Sequence, residues 1–179
     1  MKTIRNTASG YEYRILESGD DGVENNLVME VIYPAFSPEP SRHYHPYQTE
    51  YFKILQGELI VRMGGDLKVV RRNQEFIIPP NTDHSMWNGG VQKARVLWRV
   101  TPALKTVQFF ETLAMLANNE QTTSRGVPGF FESVLLLHRF SDEIRVSGVP
   151  FLVQKFVLGF LYPFARLWSG NLVKDCRRM

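Results

Sequence analysis

The sequence predicts an all-β core followed by a C-terminal α-helical appendage. Three observations carry this reading. Residues 11–100 fall into about nine short segments of alternating apolar and polar residues, separated by turn residues. At Thr101-Pro102 the apolar period changes from 2 to 3.6. His43, His45, Glu50 and a distant His84 can meet only if the sheet curls round on itself. The pattern is that of a sandwich or barrel over residues 1–102, with a helical extension over 103–179 packed on the barrel or on a dimer partner.

The elements follow in order. Tyr11 to Leu16 alternate, giving a strand with one buried face, and Ser18-Gly19-Asp20-Asp21-Gly22 is a turn cluster. Leu27 to Tyr33 is a second strand that ends at Pro34, and the prolines of Ser37-Pro38-Glu39-Pro40-Ser41 make a loop. In the histidine strand His43 and His45 share a face and Tyr44 takes the other. After the turn at Pro46–Thr49, the strand Glu50–Leu55 sets Glu50, Phe52 and Ile54 on one face. Further strands are expected at Leu59–Met63, Leu67–Val70, Glu75–Ile78, His84–Trp87 and Ala94–Val100. Thr101 as N-cap and Pro102 at the first helical position open a helix that runs to Asn118-Asn119. A second helix is expected over Gly129–Ile144 and a third over Phe151–Tyr162, ended or kinked by Pro163.

Composition narrows the function. Residues 1–102 carry no net charge, residues 103–149 net −1 and residues 150–179 net +4, so the basic pI of 9.1 belongs to the tail. That argues against a nucleic-acid face on the barrel. The single cysteine, Cys176, excludes a disulfide framework within the chain. Residues 1–6 lack an apolar run of signal-peptide type, and a cytoplasmic protein is the expectation.

Three imidazoles and one carboxylate suit a mid- or late-first-row divalent ion, so His43, His45, Glu50 and His84 are the candidate ligands of a transition metal such as Fe, Mn, Ni, Zn or Cu. Four protein ligands on a six-coordinate ion leave two positions for water, an oxygen-rich substrate or dioxygen. His138 sits on an expected helix without a partner at ligand spacing and is read as a packing or capping residue.

These residues resemble the two sequence motifs of the cupin superfamily. His43-x-His45, Glu50 and Gly57 look like the first motif; Pro79, His84 and Asn88 look like the second, with a short segment between them as in small single-barrel cupins. The resemblance covers about residues 27–102 and implies a double-stranded β-helix, or jelly-roll. It also implies that His43, His45, Glu50 and His84 are metal ligands. Ser37 stands where the first motif usually opens with Gly, and Asn73 and Asn81 stand at usual Gly positions of the second. Asn tolerates left-handed backbone angles, so both turns can form.

For substrate contacts the sequence offers Arg99, Phe52 and Trp98. Arg99 either faces the interior to grip an anionic ligand or points outward into solvent; Phe52, Ile54, Met63 and Trp98 line a pocket or simply fill the core. Two function classes fit. One is a metal-dependent enzyme, such as an oxygenase or isomerase, acting on a small organic molecule. The other is a non-catalytic ligand-binding or sensory module. The segment Phe151–Tyr162 is apolar nearly all round, and a helix of that kind is buried. A homodimer is the expected cover. Contact with a membrane surface through residues 151–179, helped by Arg166, Trp168, Lys174, Arg177 and Arg178, is the alternative.

Overall fold

The computed structural model describes residues 2–19 and 25–168; Cys176, Lys174, Arg177 and Arg178, and most of the turn cluster after Ser18, lie outside the described residues. Among the described residues, eleven strands and three helices make up the fold. The strands are β1 (Lys2–Arg5), β2 (Glu12–Ser18), β3 (Leu27–Tyr33), β4 (His43–Tyr44), β5 (Thr49–Gln56), β6 (Glu58–Met63), β7 (Asp66–Arg71), β8 (Glu75–Ile78), β9 (His84–Trp87), β10 (Ala94–Thr101) and β11 (Arg145–Val146). The helices are α1 (Thr106–Asn118), α2 (Phe130–Arg139) and α3 (Phe151–Trp168).

Two antiparallel sheets face each other as a jelly-roll. One has the order β1-β2-β3-β10-β5-β8 and the other β11-β4-β9-β6-β7. Alternate residues of both sheets turn inward, as the period of 2 requires. Leu27, Met29, Phe52, Ile54, Leu59 and Val96 are among those fully buried between them. The turns are built as their sequences demand. Asn73 and Asn81 adopt φ of 69° and 61°, so asparagine serves where glycine usually stands. Gly57 has φ of 74°, and a Cβ there would lie 3.1 Å from the Ala94 Cα, so this position excludes larger residues. Ser37 makes good the absence of a glycine differently: it is buried, and its Oγ accepts the Asn88 backbone N–H at 2.8 Å, joining the loop before the histidines to the end of β9.

Several boundaries differ from the sequence reading. Thr101 does not cap a helix: β10 runs through it, paired with Thr49, and α1 begins only at Thr106. The buried Gln48 side chain holds that junction, its Nε2 donating to the carbonyls of Pro102 and Ala103 and to Thr106 Oγ1. The second helix stops at Arg139, and residues 145–146 instead form β11 against β4. α3 continues through Pro163 to Trp168. The carbonyl that the proline ring crowds belongs to Gly159, four residues back, where the backbone has most freedom to adjust.

The helices hold a second core. Leu116, Val134, Leu135, Leu136, Phe140 and Ala165 are buried together. α1 links the two cores through Phe110, whose ring meets Tyr13 at 4.3 Å and Trp98 at 5.4 Å.

Candidate metal centre

The histidines collect at one end of the β11-β4-β9-β6-β7 sheet, and the carboxylate reaches them from the facing sheet. His43 and His84 are direct partners across the β4–β9 ladder. His45 lies just beyond β4, in a loop held by Asn81, whose backbone N–H donates to the His45 carbonyl at 2.8 Å. Glu50 projects inward from β5, between Val100 of β10 and Ile78 of β8. The ligand nitrogens of His43, His45 and His84 all lie within 4.8 Å of one another.

The hydrogen bonds fix the tautomers. Nδ1 of His43 contacts the Ser41 carbonyl at 2.9 Å, Nδ1 of His84 contacts the Thr82 carbonyl at 2.9 Å, and Nδ1 of His45 contacts the Glu143 carbonyl. A carbonyl only accepts, so each Nδ1 carries the proton and each Nε2 presents a lone pair. Two of those lone pairs, on His45 and His84, face Glu50. Its Oε1 is 3.4 Å from His45 Nε2, and its Oε2 is 3.3 Å from His84 Nε2.

Neither contact is an ion pair, because the imidazoles stay neutral at pH 7. Burial, reinforced by the neighbouring His84, pulls His43 down to about 4. Burial and the charge of His43 pull His45 down to about 3. Burial also brings His84 down to about 4 against the opposing pull of the Thr82 carbonyl. His43 and His45 retain some exposed surface, but the protein packed round their rings outweighs that strip. Glu50 moves the other way: burial raises it to about 8, with Trp98 opposing. The Trp98 Nε1–H approaches Glu50 without reaching hydrogen-bond geometry, and both Trp98 Nε1 and Glu50 Oε2 are buried without a hydrogen-bond partner. Three imidazole lone pairs and a carboxylate with an orphaned oxygen are mutually repulsive unless a cation lies among them. The donor set therefore fits a divalent metal ion; without one, a proton on Glu50 is the substitute.

The other candidate residues separate cleanly. Phe52 and Trp98 are buried next to Glu50, their rings stacked at 5.5 Å with 14° between planes, and Phe76 stacks on Phe52 at 4.9 Å. Arg99 follows Trp98 on the strand and so faces outward, exposed, its guanidinium over the Tyr51 ring at 5.9 Å. His138 stacks on Tyr162 at 4.3 Å, within the helical layer. Two residues of the surroundings carry no motif signal. Glu143 is buried, gives its carbonyl to His45 and accepts the Lys105 N–H at 3.0 Å on its side chain. Tyr33, buried at the end of β3, has its pKa raised by burial above all, with the nearby Glu50 charge contributing.

Residues 29–100 match the family model of the cupin domain. The barrel is a cupin domain. Two curated relatives align with this chain over 62 residues. Polyketide synthase CurC of Streptomyces cyaneus is 34% identical, over 35% of this chain and 40% of that protein. The tetracenomycin polyketide synthase protein TcmJ of Streptomyces glaucescens is 29% identical, over 35% of this chain and 42% of that protein. The chain thus spans about two fifths of the length of these relatives. Among solved structures, the cupin domain of Schizosaccharomyces pombe Cnp3 covers 73% of this chain and 78% of its own at 18% identity and a TM-score of 0.48. An RmlC-like cupin from Shewanella frigidimarina covers 58% and 86% at 19% identity and a TM-score of 0.49. The helical layer from α1 to α3 falls outside the residues matched to the family.

Proposed function

We propose that the cupin domain holds one divalent transition-metal ion (Fe, Mn, Ni, Zn or Cu) on His43, His45, Glu50 and His84, and acts as a metal-dependent enzyme on a small organic molecule. The observation that carries this reading is three tautomer-fixed histidines with ligand nitrogens within 4.8 Å of one another, two of them beside the buried Glu50 carboxylate. When bound, such an ion supplies Lewis acidity, or a redox centre, to a ligand in its free positions. The chain supplies the rest. The backbone carbonyls of Ser41, Glu143 and Thr82 hold the rings in place. Glu50 neutralises one of the two positive charges. Phe52 and Trp98 keep water away from one side of the carboxylate, and the Trp98 N–H is a donor available to Glu50 or to an incoming oxygen. The names of the two Streptomyces relatives fit a small organic molecule as substrate, and the cytoplasm is the compartment we assign.

Metal analysis of protein purified without added metal tests the site. Wild type and His138→Ala should carry about one ion per chain, and His84→Ala should lose most of it, since one ligand of four is gone. Equal content in wild type and His84→Ala sinks the reading. Azide added to the cobalt-loaded protein separates the two function classes: a changed visible spectrum marks an open coordination position, as an enzyme requires, and an unchanged one favours the non-catalytic module.

A further inference from the structure

α3 has two faces. Gln154, Leu158, Leu161, Tyr162 and Ala165 turn towards the rest of the protein, four of them into the helical core. On the far side Leu152, Phe156, Phe160, Phe164 and Trp168, four residues apart, run the length of the helix with exposures between 53% and 79%. The stripe continues onto α2, where Phe131 meets Trp168 at 5.6 Å and the exposed Phe130 packs on Phe131 at 5.4 Å. A contiguous apolar face of this length marks an interaction site.

The charges say what kind. α3 contains Lys155 and Arg166 and no Asp or Glu. The two cations are separated by about three helical turns, so they stand above one another along one edge of the apolar face. A second copy of the chain meets an obstacle there. A two-fold pairing of α3 centred on Phe160 runs the helices antiparallel and sets Lys155 of one copy against Arg166 of the other, with no carboxylate on either helix to intervene. Anionic lipid headgroups supply the missing negative charge. The aromatic stripe then enters the boundary of the acyl chains while the Lys and Arg stems reach up to the phosphates. No helix among the described residues is long and apolar enough to cross a membrane, so the helix would lie in the plane of the surface.

We propose that the exposed face of α3 docks this protein on an anionic membrane surface. Flotation of the full chain with vesicles of phosphatidylcholine, alone or mixed with phosphatidylglycerol, tests it. Wild type should float with the mixed vesicles, at least tenfold more than with the neutral ones, and 0.5 M salt, on the order of a 4 Å Debye length, should weaken the binding. Phe156→Glu with Phe160→Glu should abolish flotation. Lys155→Glu with Arg166→Glu should remove the preference for phosphatidylglycerol. All four side chains are exposed, so metal content should stay at the wild-type level, which separates this proposal from the metal site. Absent flotation, or flotation indifferent to lipid charge, overturns it. A dimer in sedimentation that Phe160→Glu dissolves, with no vesicle binding, overturns it in favour of a second copy.

Discussion

The Nδ1–H of His45 is held by the backbone carbonyl of Glu143, 98 residues further along the chain. A ring that presents its lone pair to the candidate metal centre is thus oriented from outside the cupin domain. The Glu143 side chain accepts the Lys105 N–H, and Val146, three residues on, faces His43 in the β11–β4 ladder. The helical layer reaches the site through this short segment.

Gln154 fastens β11 to α3. Its Nε2 donates to the carbonyls of Val146 and Val149, and its Oε1 accepts the Val146 N–H. Gln154→Leu leaves these backbone groups without partners and should cost about 2–3 kcal/mol of stability. Metal affinity should fall about tenfold or more, in the range typical for lost outer partners of a ligand histidine. Denaturant unfolding and metal titration of the same variant check both. Unchanged affinity would mean that β11 does not orient His45.

The metal-free protein should be most stable at about pH 7. The three histidines hold about 3 to 4 when folded and 6.5 otherwise. Below 6.5 the unfolded chain takes up their protons first, so stability falls as pH drops. Glu50 holds about 8 when folded and 4.5 otherwise, so its share of stability falls as pH rises between those values. Up to 6.5 the three histidines outweigh the one carboxyl, since the unfolded chain still holds about half their protons there, and only well above 6.5 does Glu50 act alone. Thermal unfolding in chelator from pH 5 to 8 tests this, and Glu50→Gln should flatten the upper limb.

Metal uptake should release a proton. At pH 7 a Glu50 at about 8 is mostly protonated, and coordination needs the carboxylate. Titrating the metal-free protein in two buffers of different ionisation enthalpy should show about one proton released per ion at pH 7 and markedly less at pH 9. A release that does not depend on pH would remove Glu50 from the ligand set.

Gly57→Ala should destabilise without emptying the site. The new methyl meets Ala94 at the tight β5–β6 turn and holds φ of 74°, where side chains are disfavoured. The expected cost is about 1 kcal/mol or more, read from the denaturant midpoint, with metal content unchanged.

How much was legible depended on where the signal lay. His43, His45 and Glu50 fall within eight residues, and strand alternation aims His43 and Glu50, whereas His45, beyond the end of β4, is set by Asn81 and Glu143. His84 and the turn asparagines stand out because few residue types suit those places. Arg99 could be read both ways, and the inward Trp98 beside it settles its phase. β1 and β11 were not legible: β1 buries only Ile4, and β11 is two residues long with a partner about a hundred residues away. Local period is silent about such pairings. The apolar circumference of α3 was plain, but the sequence does not say which side α2 covers.

Thr101 pairs with Thr49 and Arg145 with Tyr44, so the stretch between leaves the barrel and returns to it. Each end is stitched into a sheet, and between them lies the exposed turn at Ser124-Arg125. A protease that cuts there should leave two fragments that travel together until denatured, since the ladders and the helical core hold both halves. The same turn can take extra residues at little cost, because the entropy of a closed loop rises only slowly with its length.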